Sequence, residues 1–196
     1  MPTETPSTKT RMVEAMTMLL QKQGYNATGI SEILETSDAP KGSLYHHFPG
    51  GKTELAAAAL DEARQRVMQV LQRLKEKAQQ NPIRVIQLFI DFYIRQMQAS
   101  NYEQGCPIAT VTLETAATVD VLQVTVKKFF DDMVEFVAAM LEEHGLDSDV
   151  AQTQALVMIS IIEGALILSR AQRSPQPLAA AKNYLTAQLQ TLMPDL

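Results

Sequence analysis

Apolar residues recur along this chain every three or four positions, in one segment after another, and the two-residue alternation of a half-buried strand appears nowhere. Met12, Val13, Met16, Leu19 and Leu20 form one stripe between Thr8 and Gln23, and Gly24 follows as a helix-ending glycine. Ile30, Ile33 and Leu34 mark a short second helix with Thr28 as its N-cap. Ser37 and Asp38 then supply turn chemistry before Pro40, which opens a third helix at its first position. A long fourth helix runs from Lys52 to Lys77, with Leu55, Ala58, Ala59, Val67, Leu71 and Leu74 on one face. Asn81-Pro82 breaks the chain, and Val85, Ile86, Phe89, Ile90, Tyr93 and Met97 stripe a fifth helix over Ile83 to Gln98. Cys106-Pro107 begins a sixth that reaches Ala117, Asp120 to Glu143 makes a seventh, and Asp149 to Gln172 an eighth. After Ser174-Pro175-Gln176-Pro177, Leu178 to Leu192 completes the set. The pattern predicts an all-α fold, with about nine helices in the count; the first three, before residue 52, are called the head.

The head carries the clearest chemistry. In the third helix Leu44 and Phe48 lie four residues apart and face a core, which turns Lys41, Ser43, Tyr45 and His46 outward around Gly42. A short helix that buries two residues and shows a cation, hydroxyls and an imidazole suits the major groove of a duplex. Lys41 can reach a guanine edge or a phosphate, Ser43 and His46 can read base edges, and Tyr45 can donate to a phosphate. Gly42 has no side chain to hold the backbone away from the groove. Lys52, at the start of the fourth helix, lies among unpaired backbone N–H groups that suit a DNA phosphate. The alternative use of His46 and His47 as a metal pair fails, because adjacent residues on a helix point about 100° apart and no further His or Cys is near in sequence. No metal and no cofactor is expected.

From Thr28 to Leu55 the chain resembles the DNA-binding head of the TetR family of transcriptional regulators. The resemblance rests on K-G-S-L-Y-H-H-F followed by a short loop and K-T-E-L, and it implies that Thr28, Ala39 and Pro40 join Lys41, Gly42, Ser43, Tyr45, His46 and Lys52 at the DNA. The P-K-G-S-L-Y-H-H-F-P-G-G-K and G-C-P-I-A-T stretches are further similar to the LmrA-like and YxaF-like subgroup. Asp38 stands where that pattern commonly has a turn glycine, and Asp tolerates the left-handed conformation. The resemblance implies a regulator, most often a repressor, that is not an enzyme. It further implies a DNA-binding domain over residues 1–52 and an effector-binding and dimerisation domain over residues 53–196.

Charge refines this picture. The net charge is −5, yet residues 1–52 carry five basic and five acidic side chains, so the body holds the whole deficit. A neutral head makes few phosphate contacts, which favours a dimer reading two half-sites of double-stranded DNA. Apolar stripes at Ile159, Ile162, Ala165, Leu166 and Ser169, with Leu185, Leu189 and Leu192, nominate helices 8 and 9 as the dimer surface, although the same stripes suit an internal core. The absence of a run of 18 apolar residues and of a signal-peptide core, with a single cysteine, points to the cytoplasm and away from the membrane. Residues 1–7, rich in Pro and Thr, are expected to form a disordered arm.

In the body, aromatic and methionine side chains concentrate. Phe89, Phe92, Tyr93, Met97, Phe130 and Met133 suit either an ordinary core or a cavity for an apolar or aromatic effector. The resemblance favours the cavity. Cys106, at a helix start near it, is read as structural or pocket-lining. Its alternatives are a thiol-based oxidant sensor or a catalytic nucleophile paired with His144. Glu114, two turns on, is expected to line the same cavity.

Overall fold

The computed structural model describes residues 6–194, so the expected N-terminal arm falls largely outside the described residues. Nine helices are present among them: α1 (Thr8–Gln23), α2 (Ile30–Thr36), α3 (Ser43–His47), α4 (Gly51–Lys77), α5 (Pro82–Ala99), α6 (Pro107–Thr115), α7 (Asp120–Glu142), α8 (Ser148–Gln172) and α9 (Gln176–Leu192). No strand occurs among the described residues. The elements divide into two compact units.

The first unit joins residues up to Gln65 with Pro107–Phe129, so the head expected over residues 1–52 lies inside it together with α6. Its core is built on α1, where Met12, Met16 and Leu20 are fully buried, and α2, α3 and α6 pack against that helix. Ile33, Leu44, Phe48, Leu55 and Leu60 close the same core. Ser7 caps α1 by accepting the amide N–H of Thr10 at 3.1 Å. Two sequence expectations change here. Thr28 does not cap α2, since Gly29 occupies that position; the Thr28 hydroxyl donates to the Gly24 carbonyl at 2.6 Å and the residue is buried. Pro40 does not open α3, which begins three residues later: Pro40 accepts the Ser43 amide at 2.9 Å, so Lys41 and Gly42 form a turn leading into the helix.

The second unit joins Arg66–Cys106 with Phe130–Leu196. Asn81 caps α5 through the Arg84 amide at 2.9 Å, as the Asn-Pro break predicts. α5, α8 and α9 pack together around Phe89, Tyr93, Met97, Met158, Ile162, Leu185 and Leu189. Lys182 on α9 pairs with Asp91 on α5 at 2.8 Å, and Lys75 with Glu143 at 2.7 Å.

The stripe nominated for dimerisation belongs to this core. Ile159, Ile162, Ala165, Leu166, Ser169, Leu185 and Leu189 are all buried within the unit. The opposite face of α8 is the exposed one, with Leu156, Val157, Ile167 and Leu168 each between 46% and 58% exposed and Tyr184 on α9 at 56%. α8 is apolar all round, so its periodicity could not tell which side faces inward. That uniform character makes it long and apolar enough to cross a membrane by composition alone.

Candidate functional site

The first unit presents α3 on its surface. Leu44 and Phe48 are buried, and the alternate positions Lys41, Gly42, Tyr45 and His46 are exposed. Ser43 is half-buried at the first turn and Ala39 half-buried before it. Ala39 and Lys41 border an open depression also lined by Ser31, Leu34, Glu35 and Asp38. Gly42 has an ordinary negative φ, −82°, and a Cβ built there would meet nothing within 4 Å. Neither the backbone nor any neighbour in the chain demands a glycine at this position.

The turn between α2 and α3 is held by an arginine that sequence reasoning missed. Asp38 adopts the left-handed conformation, φ 48°, as its residue type allows. Arg11 on α1 donates from Nε to the Ser37 carbonyl and from Nη2 to the Asp38 carbonyl, both at 2.9 Å, and from Nη1 to Pro6 at 3.1 Å. One guanidinium thus satisfies three carbonyls and sets where α3 begins relative to α1. No local motif signals it, because the partners lie 26 and 27 residues away. Gln23 adds a second tie, donating to Glu32 on α2 at 2.7 Å.

Two of the residues expected at the DNA are committed elsewhere. Thr28 is 1% exposed and offers no surface to a phosphate. Lys52 is half-buried in the first turn of α4, and its Nζ lies 4.1 Å from the centroid of the Tyr25 ring. Burial pulls the Lys52 ammonium below its usual range, and the Glu114 carboxylate partly offsets that pull. Tyr25 in turn shares a 2.9 Å hydrogen bond between its hydroxyl and that of Thr53. Lys9, not among the expected contacts, is exposed on α1 with Nζ 5.6 Å from the Phe48 ring. His46 and His47 meet edge to face, and no group of three metal-ligating side chains exists among the described residues.

Glu114 corrects a further expectation. Its carboxylate, on α6, accepts the backbone N–H of Tyr25 at 2.6 Å and of Asn26 at 2.9 Å, so it belongs to the α1–α2 turn of the first unit and not to a cavity in the body. Gly24, φ 80°, is required twice over: a Cβ there would sit 2.0 Å from Glu114 Oε1.

In the second unit Phe89 and Phe92 meet the Tyr93 ring edge-on, at centroid distances of 5.0 Å and 5.5 Å. Phe89, Tyr93, Met97, Cys106 and Met133 are buried, whereas Phe92 and Phe130 are half-buried. Cys106, in no disulfide, is hydrogen-bonded to the carboxyl of Glu163 on α8, a residue the sequence reading passed over. Burial raises the Glu163 carboxyl to about 7, and the Cys106 hydrogen bond lowers it by a smaller amount. Burial also holds the Tyr93 hydroxyl protonated well above its ordinary range, reinforced by Cys106 and then by Glu163. His144, the partner considered for Cys106, shares a 2.9 Å contact between its Nδ1 and the Met140 carbonyl.

Comparison with known proteins accounts for both units. The pattern "Bacterial regulatory proteins, tetR family" matches residues 13–59, and "Transcriptional regulator LmrA/YxaF-like, C-terminal domain" matches residues 82–184. The HTH-type transcriptional regulator YxaF of Bacillus subtilis is 33% identical over 168 residues, covering 86% of this chain and 87% of its own. LmrA of the same organism is 31% identical over 168 residues, 86% of this chain and 89% of its own. Among solved structures, a TetR transcriptional regulator from Legionella pneumophila superposes with a TM-score of 0.86 at 24% identity, covering 95% of this chain and 99% of that one. These relatives are regulators and not enzymes, which removes the reading of Cys106 as a catalytic nucleophile. With an exposed recognition helix in one unit and an LmrA/YxaF-like second unit, the chain belongs to the TetR family of helix-turn-helix transcriptional regulators.

Proposed function

We propose that the chain is a ligand-responsive repressor acting as a homodimer. Two heads, each near residues 1–52, enter successive major grooves of a palindromic operator, and an apolar or aromatic small molecule in the body disfavours the head spacing the operator needs. Lys41, Gly42, Ser43, Tyr45 and His46 carry the readout, with Ala39 and Pro40 placing them. Phe89, Phe92, Tyr93, Met97, Cys106, Phe130 and Met133 line the effector site, and the protein works in the cytoplasm where the DNA lies. The observation that carries this reading is the bare, unstrained Gly42 on an exposed edge whose neighbouring apolar residues, Leu44 and Phe48, are buried. An effector that prefers the released form weakens operator binding by the difference of its affinities for the two states, about 1–3 kcal/mol.

Dimerisation is supported by the exposed apolar face of α8. Gly164 sits in that face, and a Cβ there would meet nothing within 4 Å of the chain itself, which suits close approach of a second copy of the helix. The test of the regulator reading is a binding titration on the duplex upstream of the protein's own gene. Lys41→Ala is expected to weaken binding about tenfold, the cost of one lost guanine or phosphate contact. Unchanged affinity would remove Lys41 from the interface.

A further inference from the structure

Glu163 in the second unit carries a buried carboxyl oxygen, Oε2, that has no hydrogen-bond partner among the described residues. It is half-buried as a residue, yet its Oε2 has almost no contact with solvent and no hydrogen-bond partner. The Cys106 thiol engages the carboxyl, and the Tyr93 hydroxyl is close enough to both groups to be perturbed by them. Three elements therefore converge: α5 through Tyr93, the segment before α6 through Cys106, and α8 through Glu163. Burial and the thiol are what set the carboxyl's protonation.

A buried carboxylate without a counterion is costly, and an unmade hydrogen bond at its second oxygen adds to the cost. The ring edges of Phe89 and Phe92 lie against Tyr93, so an apolar body and an acidic end occur side by side. From these features we infer that Glu163 is the polar anchor of the effector site and that the effector is a lipophilic aromatic amine whose ammonium donates to Oε2. This rests on the effector reading above and names the ligand class. The ammonium supplies the missing positive charge and the missing donor together. When it meets the protonated carboxyl, the carboxyl proton leaves to solvent and a carboxylate–ammonium pair remains. The aromatic rings add attraction for a cation at their faces. A neutral alcohol of the same shape supplies a donor and no charge.

Calorimetric titration of the full chain with 1-naphthylmethylamine and with 1-naphthalenemethanol separates these cases, because the two differ only in the polar group. The amine is expected to bind wild type at least tenfold more tightly. Glu163→Gln keeps the shape and removes the charge; it is expected to abolish the amine preference, bringing the two probes' affinities within about threefold of each other, with the wild-type circular dichroism spectrum as the check on folding. Equal affinity of the two probes for wild type, a measurement that needs no variant, overturns the assignment. So does an amine preference that survives in folded Glu163→Gln. If both probes bind equally and both release the operator, the effector site stands and the amine class is lost. If neither binds nor releases the operator, the effector reading fails with it.

Discussion

Single side chains decide how this protein responds to pH and where α3 begins. Glu163 holds its proton to about 7 in the folded chain, against 4.5 for an ordinary glutamate. The folded state therefore binds more protons than the unfolded state between those values, and stability falls as pH rises from 4.5 towards 7, then levels off. The groups facing Glu163 do not reverse this sign: Tyr93 stays protonated across the range, and the thiol of Cys106 bonds the carboxyl without neutralising its burial. Urea midpoints at pH 5 and pH 7.5 should drop by the equivalent of about 1–3 kcal/mol in wild type. In Glu163→Gln the drop should shrink or vanish; an equal drop in both would place the proton uptake elsewhere. Arg11 illustrates the opposite case, a residue whose importance depends on folded geometry. Its three carbonyl partners include two that are distant in sequence, so nothing in residues 8–23 marks it apart from an ordinary surface arginine.

At the scale of elements, all nine helices were legible in the apolar spacing, because each of them has at least one face that must be buried. What spacing could not supply was the choice between two apolar faces or the identity of a cap. α8 has Ile159, Ile162 and Leu166 on its inner side and Val157, Ile167 and Leu168 on its outer side, so the stripe nominated for dimerisation proved to be core. Thr28 looked like a cap because hydroxyls at that position often are, but its hydroxyl found the Gly24 carbonyl first. Leu44 on α3 and Phe48, the residue that ends it, were readable for the converse reason: in so short a segment only one side can be buried. α6 was expected beside the effector because of the residues at its start, yet its Glu114 reaches the turn after α1. Glu114→Ala removes the acceptor from two backbone N–H groups and should cost about 1–3 kcal/mol locally. Amide exchange at Tyr25 and Asn26 should quicken while the exchange of α8 is unchanged; unaltered protection at those two amides would show that the bonds carry no weight.

For the molecule as a whole, the proposed repressor requires two copies, and the outer face of α8 with Tyr184 is where the second copy is expected. Leu168→Glu places a carboxylate in that face without touching the buried side of the helix. Light scattering should then report a monomer where wild type is a dimer, with helix content retained; a dimer persisting in the variant would move the interface off α8. Gly164 extends the point. A glycine inside an α-helix costs roughly 0.5–1 kcal/mol relative to alanine, and nothing in the protomer's own packing obliges α8 to carry it. In the proposed dimer the second copy would restore the rigidity this glycine gives up, and mass action would then tie the melting behaviour to protein concentration. Scarcity would loosen the fold and the grip on the operator in the same step.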